Sequence, residues 1–216
     1  MGKLRVGVLI SGRGSNLQAL IDACAETGFP AEIVLVASNR ADAAGLDRAR
    51  RAGIPTRVLD HKAFPSRETF DEAMTLLLRD SAVDLVCLAG FMRLLSPGFV
   101  AAWDRRLINI HPSLLPSFKG LDTHRRALEA GVAIHGCSVH FVTADLDGGP
   151  ILVQAAVPVL ADDDAGSLAA RVLEAEHRIY PLALRWLGEG RVTLVDNRVR
   201  IVGGTAAPYP LINPAA

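Results

Sequence analysis

Short runs of β-branched and aliphatic residues alternate with amphipathic segments along the first half of the chain. Residues 5–10 form one such run, and Leu17, Leu20, Ile21 and Cys24 follow it at helical spacing. The pattern then predicts strands at 32–37, 56–59, 84–88 and 107–111, and helices at 42–52 and 67–79. These strands are apolar on both faces, as in a parallel sheet that helices cover on two sides. The first half therefore predicts an α/β fold.

The pattern changes after His111, where Pro112 and Pro116 bracket a polar loop. The elements predicted beyond this loop are a helix at 123–130, strands at 134–142 and 151–157, a long helix at about 165–187, and strands at 192–195 and 199–202. The last two strands form a hairpin across an Asp196-Asn197 turn. The whole chain predicts a three-layer α/β fold: a mostly parallel twisted sheet with helices on both faces and a C-terminal antiparallel hairpin.

Composition and charge exclude several classes of protein. Half of the 216 residues are apolar and 21% are charged, which is typical of a packed globular protein of one domain. The 23 basic residues equal the 23 acidic residues, so the chain has no net charge that would attract nucleic acid. The densest basic cluster, Arg48, Arg50 and Arg51, lies at the end of a predicted helix, where cations are favourable. Because the net charge is zero, we do not expect nucleic acid as a partner. No apolar run is long enough for a membrane span, so we do not expect a membrane either.

The three cysteines favour a reducing compartment. Cys24, Cys87 and Cys137 are widely separated, odd in number and embedded in apolar runs, a pattern of buried thiols rather than of a disulfide framework. The first residues lack the apolar stretch and the cleavage site of a signal peptide. We therefore expect a cytoplasmic protein.

Residues 11–16, Ser-Gly-Arg-Gly-Ser-Asn, join the first strand to the first helix. The two glycines let the backbone approach a ligand, and the N–H groups that begin a helix attract a phosphate. The motif lacks the lysine of a triphosphate loop, and Leu17 stands where a dinucleotide loop has its third glycine. A monophosphate or phosphate ester is therefore favoured over NAD or ATP. The alternative is an ordinary glycine turn in which Ser15 caps the helix.

Asn109 and His111 lie two residues apart in a predicted strand, so their side chains share one face. Pro112 ends the strand directly after His111, which places the imidazole at an exposed rim, where open α/β sheets bind ligands. An amide and an imidazole side by side can both donate to the oxyanion of an acyl transfer. Taken alone, a histidine at a strand end is more often structural.

An acidic segment, residues 145–150, joins the next two predicted strands. Its two aspartates, Asp145 and Asp147, lie beside Gly-Gly-Pro, and acidic residues in that position are typical of an ordinary turn. A carboxylate that returns to an exposed histidine, however, favours the imidazolium form and fixes the orientation of the ring. His140 is either a supporting residue of such a site or a core residue. We find no nucleophile on a sharp turn and no metal-binding motif, so we expect neither a covalent intermediate nor a metal.

Five segments together resemble the phosphoribosylglycinamide formyltransferase family over residues 5–190. They are residues 8–19, residues 88–97, residues 109–116 (Asn-Ile-His-Pro-Ser-Leu-Leu-Pro), residues 138–142 and residues 147–150. The resemblance implies transfer of a formyl group from the co-substrate 10-formyltetrahydrofolate to the amine of glycinamide ribonucleotide in purine biosynthesis. It implies direct attack by the amine through a tetrahedral intermediate, without a metal.

The resemblance also implies roles for individual residues. The catalytic residues would be His111, Asn109 and Asp147, with His140 as a supporting residue. The ribonucleotide would bind Gly14, Ser15, Asn16 and Glu176. The folate would bind Arg67, Met92, Arg93, Leu94, Leu95, Asn109, Thr143, Ala144, Asp145, Leu146 and Asp147.

These roles divide a single predicted domain, residues 1–216, into three parts. Residues from 1 to about 100 would bind the phosphate and nucleotide, and residues from about 101 to 190 would carry catalysis and the folate. Residues 191–216 would form the hairpin and a loose tail that contains Pro208, Pro210 and Pro214.

Two other enzymes of the wider formyltetrahydrofolate-using family share the motif of residues 109–116. Methionyl-tRNA formyltransferase has an added RNA-binding domain, for which the chain has neither the length nor the basic charge. Formyltetrahydrofolate hydrolase usually has an N-terminal regulatory domain, whereas the first strand here begins by Arg5. The alternatives to formyl transfer are this hydrolase activity and a non-catalytic phosphate-binding module. We expect small-molecule substrates and a monomer or homodimer.

Overall fold

The computed structural model describes residues 2–205 and 211–213. The strands are β1 (Leu4–Ile10), β2 (Ala31–Ser38), β3 (Thr56–Val58), β4 (Leu85–Leu88), β5 (Leu107–His111), β6 (Ile134–Phe141), β7 (Ile151–Pro158), β8 (Val192–Val195) and β9 (Arg198–Ile201). The helices are α1 (Ser15–Ala25), α2 (Gly45–Arg51), α3 (Arg67–Asp80), α4 (Pro97–Ala102), α5 (Thr123–Glu129) and α6 (Ala165–Gly188), with a short 3₁₀ helix at His61–Ala63.

Seven strands form one sheet in the order β3-β2-β1-β4-β5-β6-β7, and β8 and β9 form the C-terminal hairpin. The pairs among β1 to β5 are parallel, whereas β6 and β7 are antiparallel. The predicted mostly parallel sheet and hairpin are therefore confirmed. The chain divides into two compact units, Met1–Asn109 with Phe141–Ala144 and Ile110–His140 with Asp145–Ala216. The single-domain organisation stays a prediction.

The core of the first unit lies between the sheet and helices α3 and α4. Phe70, Met74 and Leu78 are buried at successive turns of α3 and belong to the same hydrophobic cluster as Leu9 of β1. The Ser66 hydroxyl accepts a hydrogen bond from Thr69 N and so fixes the start of α3. Ile10, the next residue of β1, points to the opposite face, where α2 approaches it at Gly45. Helices therefore cover both faces of this part of the sheet, as the apolar strands predict.

Three element predictions need correction. The helix predicted at 42–52 spans only Gly45–Arg51, and Arg40 and Asp42 form an exposed ion pair in the turn before it. Helix α4 was not predicted; Ser96 caps it, and Pro97 occupies its first position. The last strand begins one residue earlier than predicted, because Asp196 and Asn197 both adopt positive φ in a two-residue turn. Pro208, Pro210 and Pro214 of the predicted tail lie outside the described residues.

The three cysteines are free thiols in largely apolar surroundings. Cys87 and Cys137 are buried, and Cys24 is partly buried. Burial raises the pKa of Cys24 to about 11, and burial together with the charge of Glu176 raises the pKa of Cys137 to about 12. Both thiols therefore stay protonated near neutral pH.

None of the helices in residues 2–205 and 211–213 has the length and apolar character that crossing a bilayer demands.

Candidate active site

His111 ends β5 and is buried, with 6% of its surface exposed. The expectation of an exposed imidazole is therefore wrong. The chain that follows folds back over the ring: the Phe118 carbonyl accepts a hydrogen bond from Nε2 at 3.1 Å. The Thr123 hydroxyl holds this return by donating to the Pro112 carbonyl at 2.7 Å.

Asp147 lies between two histidines of the second unit. Its Oδ2 is 3.5 Å from His111 Nδ1, and its Oδ1 is 3.7 Å from His140 Nε2. Gly120 N donates to the same Oδ2 at 2.9 Å. All three side chains are at least nine-tenths buried. The structure thus brings together Asp147, His111 and His140, three residues that the sequence analysis singles out.

Both ring nitrogens of His111 face oxygen atoms. Nε2 faces a carbonyl oxygen and Nδ1 faces a carboxylate, and both of these groups accept hydrogen bonds. An imidazolium ring has an N–H at each nitrogen and so has a donor for each contact, whereas a neutral ring has one N–H. The 3.5 Å between Nδ1 and the carboxylate is at the long end of hydrogen-bond distances.

A buried hydroxyl fixes the chain that follows His111. Ser138 Oγ donates to the Ser113 carbonyl at 2.7 Å and accepts from Leu115 N at 3.1 Å. Gln154, the partner of Ser138 across β6 and β7, donates to Ser138 Oγ and to the Leu115 carbonyl. The sequence analysis gives Ser138 and Gln154 no role. A polar residue that faces another polar residue across two neighbouring strands is a signal that could have found them, but only with the strand register known.

Two further histidines lie close to His111, although the sequence gives them no distinguishing pattern. The rings of His124 and His135 meet edge to face, with centroids 5.4 Å apart, and the Phe118 ring packs against His135 in the same way. Burial and then the charge of His124 lower the pKa of His135 to about 4; the Pro112 backbone opposes them, and the charge of His111 adds the smallest effect, which also lowers the pKa. Burial also lowers the pKa of His124.

We expect the His135 shift to make the protein less stable as the pH falls from about 6.5 towards 4. The unfolded chain binds the proton more tightly than the folded one in this range, so stability rises with pH there, by at most about 1.4 kcal/mol per pH unit. His135→Gln removes this titration and flattens the profile, while the His124 contribution remains. Urea unfolding at several pH values measures the slope. His61→Gln, outside this cluster, is the control, and an unchanged slope in His135→Gln contradicts the prediction.

The glycine loop of the first unit is held by its neighbours in the same unit. Gly14 has a φ of +71°, and Gly45 N donates to the Gly12 carbonyl at 3.0 Å. Arg48 Nε donates to the Arg13 carbonyl at 3.0 Å. Helix α1 begins at Ser15 without a side-chain cap, so the alternative in which Ser15 caps this helix is wrong. The first backbone N–H groups of a helix have no partner within the helix, and such groups can bind an anion.

Ser11 links this loop to two other strand ends. Its hydroxyl donates to Asn39 Oδ1 at 2.6 Å, and Met92 N donates to Ser11 Oγ at 2.8 Å. The Asn39 amide in turn contacts His61 Nδ1 at 3.3 Å. The sequence analysis assigns Ser11 and Asn39 no individual contact.

The residues that the resemblance assigns to the folate occur in both units. In the first unit, Met92 and Leu94 are large apolar side chains with 71% and 65% of their surface exposed, which is typical of a binding surface. The Arg93 guanidinium lies 5.3 Å from the centre of the Phe70 ring, and Leu95 packs against the core. The other members of that unit are Arg67 at the start of α3, the half-buried Asn109 in β5, Thr143 and Ala144.

In the second unit, Asp145 and Leu146 precede Asp147, and Leu146 is 54% exposed. Glu176, assigned to the ribonucleotide, is buried on α6 of this unit. Asn16 follows Ser15 in the first turn of α1 in the first unit. Among the described residues, no three His, Cys, Asp or Glu side chains are grouped as metal ligands.

Comparison with known proteins gives one consistent family. The formyl transferase family matches residues 4–184. The chain is 51% identical to phosphoribosylglycinamide formyltransferase of Escherichia coli (strain K12) over 95% of this chain and 97% of that protein. It is 55% identical to the human trifunctional purine biosynthetic protein adenosine-3 over 90% of this chain. The chain spans 19% of the length of that relative.

Comparison with solved structures gives similar proteins of the same kind. Glycinamide ribonucleotide transformylase 1 from Symbiobacterium toebii superposes with a TM-score of 0.91 at 54% identity, covering 93% of this chain and 94% of that one. The phosphoribosylglycinamide formyltransferase from Anaplasma phagocytophilum superposes with a TM-score of 0.88 at 49% identity, covering 94% and 97%.

Proposed function

The chain belongs to the formyl transferase family, and we propose that it transfers a formyl group from 10-formyltetrahydrofolate to the amine of glycinamide ribonucleotide in de novo purine biosynthesis. The observation that carries the proposal is the buried His111, whose two ring nitrogens both face oxygen acceptors. A charged imidazole at that point stabilises the negative charge of an acyl-transfer intermediate.

In this mechanism the unprotonated substrate amine attacks the formyl carbon directly. A C–N bond forms, and the carbonyl oxygen becomes an oxyanion that accepts hydrogen bonds from the Asn109 amide and the His111 imidazolium. Asp147 keeps His111 charged and oriented, and His140 faces the other oxygen of that carboxylate. The bond from the formyl carbon to the folate nitrogen then breaks. A bound water carries the proton from the amine to that nitrogen.

The other residues assigned from the sequence bind the two substrates. The ribonucleotide phosphate binds the backbone of Gly14, Ser15 and Asn16, and Glu176 binds its ribose or glycinamide part. The folate binds the exposed apolar side chains of Met92, Leu94 and Leu146 and the other residues assigned to it. A cytoplasmic location, a monomeric or homodimeric state and the exclusion of nucleic acid, membrane and metal as partners stay predictions.

A single mixing assay tests the function. Protein, glycinamide ribonucleotide and 10-formyltetrahydrofolate are combined, and release of tetrahydrofolate and formation of formylated ribonucleotide are followed together. We expect both products in equal amounts, and only when both substrates are present. Release of tetrahydrofolate without the ribonucleotide indicates the hydrolase, and binding of the ribonucleotide without any product indicates a binding module.

Replacement of Gly14 by alanine is expected to raise the KM for the ribonucleotide at least about tenfold, equivalent to about 1.4 kcal/mol. The new Cβ would lie 2.6 Å from the Gly45 Cα, a backbone atom that cannot rotate away, so the loop must move. Gly28→Ala is a matched control, since Gly28 also has a positive φ but open space around it. It shares the left-handed strain of about 1–2 kcal/mol but leaves KM unchanged. Equal KM values in the two variants would count against the phosphate site.

A further inference from the structure

A loop contacts both His111 and Asp147, two of the proposed catalytic residues. It consists of Phe118, Lys119, Gly120 and Leu121 and is here called the 118–121 loop. The Phe118 carbonyl accepts from His111 Nε2, and Gly120 N donates to Asp147 Oδ2. Both contacts are made by backbone atoms, so their geometry depends on the conformation of the loop rather than on any side chain of it.

The conformation of this loop is energetically unfavourable. Phe118 has a φ of +53° and Gly120 a φ of +78°, and Asp122 directly after the loop has a φ of +55°. A left-handed backbone at a non-glycine residue is unfavourable and persists only when surrounding groups enforce it. The loop lies outside the regular helices and strands, and a side chain of α5 contacts it.

Arg126, on α5, provides such contacts to three of the four residues. Its Nη1 donates to the Lys119 carbonyl at 2.6 Å and to the Leu121 carbonyl at 3.2 Å. Its guanidinium carbon lies 5.7 Å from the centre of the Phe118 ring. Hydrogen bonds from a charged donor are stronger than those between neutral groups, and a planar cation over a ring adds to them.

We propose that Arg126 is a positioning residue for the formyl transfer, which holds the 118–121 loop so that the Phe118 carbonyl and the Gly120 N–H fix His111 and Asp147 in their productive orientation. The proposal rests on the proposed function. Arg126 touches neither substrate in this role. Its effect reaches the oxyanion only through the loop and the His111 ring.

The neighbouring Arg125 offers a matched control. It is exposed and forms ion pairs with Asp122 and Glu129 on the surface of the same helix. Such exposed ion pairs contribute little to stability. Arg125→Gln therefore removes the same charge, one position away, without loss of a contact to the Lys119 or Leu121 carbonyl or to the Phe118 ring.

Kinetics of the full-length protein give the first test. Arg126→Gln is expected to lower kcat about 10- to 100-fold, the size of effect that a small misplacement of a catalytic group produces, with both KM values within about twofold of wild type. Arg126→Lys keeps the charge and a nitrogen that can donate to the carbonyls, but it lacks the planar guanidinium over the Phe118 ring, so it recovers part of the loss. Arg125→Gln keeps wild-type kcat. Equal kcat in Arg126→Gln and Arg125→Gln would overturn the proposal.

The His111 ring itself gives a readout that does not need activity. Nitrogen chemical shifts of the ring, assigned by their disappearance in a His111 variant, report the hydrogen bonds of its two nitrogens. Wild type and Arg125→Gln are expected to share one spectrum, and Arg126→Gln to show a displaced Nε2 signal, because the Phe118 carbonyl is no longer held in place beside Nε2. A wild-type spectrum in folded Arg126→Gln contradicts the proposal even if kcat falls.

Thermal unfolding, measured for each variant, separates a loss of folding from a loss of function. If Arg126→Gln does not fold, Arg126→Met takes its place, because methionine keeps a long side chain but has no N–H donor for the two carbonyls. A wild-type spectrum with full kcat in that variant overturns the proposal. If the wild-type protein transfers no formyl group, the proposed function fails, while the ring spectra still decide whether Arg126 orients His111.

Discussion

His111→Ala is expected to lower the turnover of formyl transfer about 10²–10³-fold, the usual loss when one oriented oxyanion donor is removed. The imidazole stabilises charge that exists only after the amine has attacked, so the ground-state affinity for both substrates changes little. The variant loses kcat and keeps KM. Steady-state kinetics with each substrate varied in turn measure the two quantities.

The loss has to be separated from a loss of folding, because His111 is buried and its removal leaves the Phe118 carbonyl without a donor. Urea unfolding of the variant provides this control. Asn109→Ala supplies the independent check, since the amide is the second proposed donor and its removal is expected to cost a similar factor. Unchanged turnover in both variants would reject the assignment of these residues to the oxyanion.

Asp147→Asn is expected to reduce turnover by at least about 10²-fold. The side chain keeps its shape and the contact to Gly120 N, but its negative charge, which faces both His111 and His140, is gone. The His111 ring then loses the charged partner that orients its Nδ1, so the oxyanion is held less well.

Steady-state kinetics of the variant beside wild type measure this loss. Asp104→Asn is a suitable control, because Asp104 is an exposed carboxylate beside Arg105 in the first unit. Equal turnover in Asp147→Asn and Asp104→Asn would show that the charge of the Asp147 carboxylate is not needed for the transfer.

Much of the fold could be predicted from the sequence because its elements follow local patterns. Residues 107–111 match β5 in full, since a run of apolar residues between polar segments and a following Pro112 fixes both ends of the strand. Ser66 at the start of α3 is a cap that any sequence reading can recognise. Helix α4 was missed because six residues carry too little periodicity to stand out from a loop.

The candidate site could be predicted as a set of residue types but not as an arrangement. His111, His140 and Asp147 attract notice through their neighbours in the sequence, whereas their approach depends on a residue with a φ of +47° at Asp147. The burial of His111 follows from the return of the chain to Phe118, and the pairing of Ser138 with Gln154 from the strand register. Arg126 has no signal in the sequence, because its contacts are to carbonyl groups, which every residue carries.

The protonated state of the native thiols has a practical consequence for spectroscopy. Maleimides react with thiolates, and at neutral pH Cys24 and Cys137 offer almost none, while Cys87 is shielded from reagents by burial. A cysteine introduced at an exposed position such as Leu76 is therefore the preferred point of attachment for a fluorophore, without removal of any native cysteine.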